Sequence, residues 1–145
     1  MISLPSERAA VLGVINPASA GPGTVTSGWI DLSLCTRLLA VISTGVLGTA
    51  ATLDAKWQLA DNDAGLNTVD STQNALVQIV KASGDNKQAV MNFDAGKSKP
   101  FTKQYARLSM AVGGAASLIS AVILGFDMRH QPATDNDAAS VVQIT

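Results

Sequence analysis

From Leu53 onward, apolar Leu53, Ala55, Trp57 and Leu59 alternate with Asp54, Lys56, Gln58 and Ala60. A period of two marks an extended strand with one face buried, because successive side chains point to opposite sides of the backbone. The rhythm returns at Ala89, Met91 and Phe93, and again at Ala106, Leu108, Met110 and Val112. Shorter runs, Trp29-Ile30 closed by Asp31 and Val122-Ile123-Leu124 closed by Gly125, extend the set. The stretch Arg37–Leu47 is denser in Leu, Val and Ile and ends before Gly48, as a strand buried on both faces would. Turn formers separate these runs: Asp61-Asn62-Asp63-Ala64-Gly65, Ser83-Gly84-Asp85-Asn86 and Gly96-Lys97-Ser98-Lys99-Pro100. Short strands between regular turns predict a mainly all-β chain, an antiparallel β-sandwich or jelly-roll-like single domain. One helix interrupts the pattern. Leu76, Ile79 and Val80 follow helical spacing within Asp70–Ala82, with Asp70 or Ser71 as N-cap.

A chain of 145 residues suits one domain. The Pro- and Gly-rich segment Asn16–Gly23 reads as a linker, so residues 1–26 are expected to form an N-terminal arm. The sandwich is expected over 27–132, and 133–145 as a C-terminal arm. Within that arm Ala133–Ser140 is polar and turn-rich, and Val141-Val142-Gln143-Ile144 reads as a short apolar strand. It suits either a frayed tail or pairing with a neighbour's sheet edge. Met1–Ile15 does not read as a secretory signal, since Glu7 and Arg8 stand mid-segment.

Composition excludes several function classes. Ten Lys and Arg against eleven Asp and Glu give a net charge of −1, which argues against nucleic acid as a partner. A single cysteine, Cys35, leaves no disulfide framework and no thiolate zinc site. It reads as a small buried hydrophobe. The uncharged stretches Leu38–Leu53 and Leu108–Phe126 approach the roughly 20 apolar residues of a bilayer-spanning helix. Both are diluted by Gly, Ser and Thr, and neither is flanked by an aromatic belt, so no membrane partner is expected.

Chemistry-bearing motifs are incomplete. Gly96-Lys97-Ser98 resembles the end of a phosphate loop, but Met91 stands where that loop needs its first glycine. Asp61, Asp63 and Gly65 hint at a calcium loop, yet Leu66 and Thr72 occupy the positions that an EF-hand fills with Gly and Glu. His130, with Asp127 nearby, lies in Phe126-Asp127-Met128-Arg129-His130-Gln131-Pro132, which reads as a strand exit into a turn. No catalytic, cofactor-binding or metal-ligating residue is assigned, and the chain is not expected to be an enzyme.

Association is the remaining class. Near-zero net charge favours it, and flexible ends suit strand addition to neighbours. Candidate subunit contacts are Tyr105 and Arg107, of residue types that concentrate in interface centres, together with Arg129, Val141, Val142 and Ile144. Tyr105 and Arg107 suit a solvent face equally well.

Between Gly28-Trp29-Ile30-Asp31 and Gln131-Pro132 the chain resembles the small head cement or decoration proteins of tailed bacteriophages. The residues that carry the resemblance are Leu53-Asp54-Ala55-Lys56, Gly84-Asp85-Asn86-Lys87-Gln88, Ala106–Gly113 and the closing Val122–Pro132. It implies a β-sandwich, made in the host cytoplasm, that binds the outer surface of the virion capsid where major capsid subunits meet. Its partners would be the major capsid protein and itself, as a dimer or trimer, with no cofactor. The alternatives are a holin-like protein with two membrane spans and a surface carbohydrate-binding module.

Overall fold

The computed structural model describes residues 3–73, 75–97 and 102–145. Its strands among these are β1 (Ala9–Ala20), β2 (Gly23–Thr26), β3 (Ile30–Asp31), β4 (Cys35–Thr44) and β5 (Thr52–Ala60). They continue with β6 (Val69–Asp70), β7 (Ile79–Val80), β8 (Gln88–Asp94), β9 (Tyr105–Gly113) and β10 (Ser117–Met128). Single helical turns form at α1 (Pro5–Arg8), at α2 (Lys81–Gly84) and, as a 3-10 turn, at Ala133–Asn136.

All pairings among the described residues are antiparallel. The first sheet runs β1-β10-β4-β8 and the second β2-β9-β5-β6, with β3 added on β9 and β7 on β5. From β1 to β2, β3 to β4, β4 to β5, β7 to β8 and β8 through β9 to β10 the chain crosses between sheets, which is jelly-roll winding. The predicted mainly-β antiparallel sandwich is what forms.

The alternating residues meet in its middle. Leu53, Ala55, Trp57 and Leu59 of β5 and Ala106, Leu108, Met110 and Val112 of β9 are all buried. Facing them are Leu38, Ala40 and Ile42 of β4, Met91 and Phe93 of β8 and Ile119, Ala121 and Ile123 of β10. Trp57 and Phe93 join the two layers, their rings 5.3 Å apart and tilted by 49°, a geometry that suits aromatic quadrupoles. Two glycines serve the backbone. Gly114, at φ +78°, turns β9 into β10, and a Cβ there would meet the Ala50 carbonyl oxygen at 2.5 Å. At Gly125 a Cβ would lie 2.3 Å from Leu12 Cδ1, the close contact made where β1 slips register between Val11 and Gly13.

Two expectations are corrected. Residues 9–26, expected as an arm, are structural: β1 pairs with β10 from Ala9 to Ala20, and β2 pairs with β9. Pro17 misled because it reads as a breaker. Here it falls in a second register shift, between Ile15 and Ala18, on an edge strand, where a missing N–H costs no ladder bond. The helix over 70–82 does not form. β6 and β7 bond to β5 instead, and between them Ser71 N–H donates to Trp57 O and Leu76 N–H to Ala55 O. An open sheet edge outbids weak helical periodicity, and only Lys81–Gly84 turns helically. The C-terminal arm starts at a docked residue, Ala133, which is fully buried, and Val141–Ile144 pairs with no strand of its own chain. Of the predicted turns, Ser98, Lys99 and Pro100 lie outside the described residues.

Candidate functional site

The first sheet is apolar on its outer side as well. Register places Val14, Val122, Val41 and Val90 in one row across all four strands. Val11, Leu124, Leu39 and Asn92 make the next row, and Ala9, Phe126, Arg37 and Asp94 the third. Directly opposed residues share a face of an antiparallel pair, so these side chains form one continuous surface. Val90 is 57% exposed, Leu118 47% and Val122 39%; Leu39, Val41, Leu124 and Phe126 are half-buried by one another. Four strands at about 4.8 Å spacing and seven residues of about 3.3 Å rise give a face of roughly 400 Å². That area includes the polar row Ser120, Ser43 and Gln88 and the charged end, so its apolar part is smaller; contiguous apolar patches on a monomer are commonly functional.

One end of this face is charged. Arg37 and Asp127 form an ion pair at 3.2 Å, and with Asn92, Asp94, Lys97 and Phe126 they line an open hollow of about 720 Å³. Both partners are more than half exposed, so the pair adds little stability. It leaves a cation, carboxylates and an aromatic ring beside the apolar rows, able to bond polar groups of anything docked there.

The second sheet's outer face is polar and already satisfied. Its rows are Thr24, Ala111, Asp54; then Thr26, Ser109, Lys56; then Arg107, Gln58, Asp70. Lys56 Nζ and Gln58 Nε2 donate to Asp70 at 2.7 and 3.2 Å, holding its carboxyl below the usual range, Lys56 first. Arg107 donates from Nε to Gln58 Oε1 at 3.0 Å and stacks 4.4 Å from the centre of the Trp29 ring.

The predicted contact residues are therefore dispersed. Tyr105 and Arg107 lie on the second sheet, with Arg107 engaged within the chain. Arg129 is exposed just after β10, its N–H donating to Leu34 O at 2.8 Å. Val141 is half-buried, Val142 97% exposed and Ile144 47% exposed, all on the C-terminal segment. The outer rows of the first sheet escaped sequence reasoning. Their signal was the density of Arg37–Leu47 and the Val122-Ile123-Leu124 run, which lack the polar alternate of a wet face.

The remaining motifs sit as follows. His130 is exposed, and its carbonyl accepts from Asn136 Nδ2 at 3.3 Å. Cys35 is buried; burial, then Asp31, pushes its thiol up to about 11, which keeps it protonated and unreactive at neutral pH. Asp61 accepts from Lys103 Nζ at 2.6 Å and Asn67 Nδ2 at 2.7 Å, which hold its carboxyl low. Asn62 Oδ1 takes the N–H groups of Ala64 and Leu66, so that loop is closed on itself. Gly96 N–H donates to Asp94 Oδ1, while Ser98 lies outside the described residues. Among the described residues no group of three His, Cys, Asp or Glu could hold a metal ion. The stretches Leu38–Leu53 and Leu108–Phe126 are strands and turns, and no described helix is long and apolar enough to cross a membrane.

Neither a protein-family model nor a curated protein sequence matches the chain. Among solved structures it is similar to a chain of the cowpea mosaic virus empty virus-like particle, with TM-score 0.47 and 9% identity over 90% of this chain and 86% of that one. A chain of the naturally occurring empty particles of that virus gives TM-score 0.47 and 10% identity, over 90% and 94%. One from infectious bursal disease virus, Gt strain, gives 0.41 and 14% over 88% of this chain but 34% of the other.

Proposed function

We propose that the chain is a structural virion protein, a capsid cement or decoration subunit of the tailed-phage kind, that docks through the outer face of its first sheet onto the outer surface of the head. The observation that carries this is the four-strand apolar face, rimmed at one end by Arg37, Asp94 and Asp127. Water around such a face is released when a protein surface covers it, at roughly 25 cal/mol per Å² of apolar area. The resemblance over Gly28–Pro132 supplies the class of partner, the major capsid protein.

The mechanism is mechanical. A head is a shell of many lateral contacts under outward load. A subunit lying across neighbouring capsid proteins adds interface that must be broken before they separate. A face of roughly 400 Å² is about half the area that one partner contributes to an ordinary specific interface. Single contacts are therefore modest, and repetition around the shell makes the grip cumulative through effective concentration.

Protein-to-capsid stoichiometry in purified heads tests this. The parent chain is expected in fixed proportion to the capsid protein, and Val122→Glu with Leu118→Glu is expected to be lost from heads while remaining folded. Heads lacking the parent chain, or retaining that double variant at parental levels, overturn it.

A further inference from the structure

Both outer strands of the first sheet expose a row of backbone groups, and another segment closes part of each row. On β1 the closed residues are Ala9, whose N–H donates to Pro5 O, and Val11, whose N–H donates to the Asp137 carboxylate and whose C=O accepts from Ala138 N–H at 2.6 Å. On β8 the closed residue is Asp94: its N–H donates to Gln73 Oε1 at 2.8 Å, and its C=O accepts from Gln73 Nε2 at 2.7 Å. The side-chain amide of Gln73 thus stands in for one residue of a neighbouring strand.

Alternation extends the consequence. In an antiparallel strand every second residue aims both backbone groups at the same neighbour. Lys87 C=O accepts from Thr44 N–H and Ala95 N–H donates to Thr36 O, so odd-numbered residues here face β4. The N–H and C=O of Gln88, Val90 and Asn92 therefore face outward with Asp94, and among the described residues nothing pairs with them. The stretch Gln88–Asn92 holds no charge and no proline, the usual devices that blunt such an edge.

We propose that this edge receives the C-terminal segment Val141–Ile144 of a second copy as an added strand. The chemistry of the segment fits: Val141, Val142 and Ile144 are β-branched, as strands prefer, and Val142 and Ile144 lie exposed and unpaired to any strand. Its two faces differ, Val142 and Ile144 on one and Val141 and Gln143 on the other. Added beside β8 with Val142 outward, it lengthens the apolar row that ends at Val90.

The segment cannot serve its own β8. Ala138 is tied to Val11 on β1, at the opposite edge of the sheet, three strand spacings or about 14 Å away. The chain then turns back on itself, Val141 N–H donating to Ala138 O at 2.9 Å. Residues 142–145 span at most about 14 Å extended, which leaves none of them for pairing once they have crossed. A second copy has no such limit. Donor and acceptor edges differ, so the contact is head-to-tail, and it closes into a ring or continues as a filament according to the rotation between copies.

The test uses the purified full chain without capsid, so its failure leaves the proposed docking of the first sheet's face untouched. Sedimentation or native mass spectrometry is expected to show mass rising above one copy with concentration. Two variants separate the roles: a chain ending at Ala138 keeps only the acceptor edge, and Val90→Pro keeps only the donor. Proline is tolerated where the N–H faces solvent, so Val90→Pro is expected to retain the parental circular dichroism. Each variant alone is expected to be monomeric, and an equimolar mixture to give a one-to-one dimer that grows no further. A peptide of sequence 139–145 is expected to bind the truncated chain and at least tenfold more weakly when it carries Val142→Asp. That arm does not depend on Val90→Pro folding. A full chain of single-copy mass throughout, variants that assemble like the parent, or a peptide that ignores Val142→Asp would each overturn the proposal.

Discussion

The two sheets of this sandwich share one core and have opposite exteriors. On the second sheet β5 and β9 alternate inward and outward residues, except that Ala60 and Ser109 are buried as well. Leu53, Ala55 and Trp57 go inward, while Lys56 and Gln58 go outward into a network closed by Asp70, Arg107 and Trp29, and Asp54 goes outward to accept from Gln78 Nε2. On the first sheet the inward Leu38, Ala40 and Ile42 are interleaved with outward Leu39 and Val41, and Val14, Val90, Val122 and Leu124 continue the apolar surface across the strands. An antiparallel sheet that ends at water needs only one apolar face. A sheet with two is built for a second layer, and the isolated chain supplies only one.

That contrast predicts an asymmetric response to charge. Val122→Glu with Leu118→Glu places carboxylates on strand positions that already contact solvent. Folding stability should then change by no more than about 1 kcal/mol, while affinity for the docked surface should fall at least a hundredfold, about 2.7 kcal/mol. The matching pair on the second sheet, Thr24→Glu with Thr26→Glu, should leave that affinity within about twofold, since it adds charge to a face that is already hydrated. Titrating each variant against purified heads measures both. Equal losses from the two pairs would erase the distinction between the faces.

Smaller substitutions probe the second sheet's self-sufficiency. Trp29→Ala removes the ring beneath the Arg107 guanidinium, a cation–π contact of about 0.5–1 kcal/mol at a partly exposed site. Chemical denaturation should register a loss of that order or slightly more, because the half-buried ring also packs against the loop at Gly65. Binding to heads should not change. A binding defect without a stability defect would move the interface to Tyr105 and Arg107.

How much of this was legible follows from where hydrogen bonds and water compete. The strands of the second sheet were readable because a one-faced strand writes its burial as alternation, and Ala106, Leu108, Met110 and Val112 do so, with Ser109 buried out of turn. β4 was readable as a strand, and its density as burial on two faces, but only the face with Leu38, Ala40 and Ile42 is fully buried. The N-terminal strand was not readable. Asn16, Pro17 and Gly21 mark a loop in any local sense, and only the free edge of β10 makes Ala9–Ala20 a strand. Nor could Ile79 and Val80 announce that they would pair with Thr52 and Leu53 rather than wind, because that choice depends on a partner far away in sequence. The rows across the first sheet lie further out of reach, since they need register as well as strand identity.

Acid should separate the two exteriors by the smallest margin. Asp70 closes the polar network of the second sheet, and its carboxyl is held below the ordinary value first by Lys56, then by Gln58. A group whose value is lowered on folding contributes stability that is fully present above its unfolded value, near 3.9 for Asp, and is lost as pH falls through the lower folded value. Melting temperature followed from about pH 6 to about pH 2 should therefore decline for the parent chain, with less decline for Asp70→Asn, which has no charge to lose. The Asp70 side chain is more than half exposed, so the difference should be slight and should shrink further in salt. Hydrogen exchange places it: protection lost on acidification should map to the β5–β6 pairing of Gln58 and Leu59 with Asp70 and Val69. The Val14–Val122–Val41–Val90 row has no titratable member, so β10 and β4 should hold their protection over the same range. Earlier acid loss in β4 or β10 than in β6, in a variant with Asp127→Asn as well as in the parent, would mean that the first sheet depends on charges other than its own Arg37–Asp127 pair, and that its exterior is less independent of the polar one than the register implies.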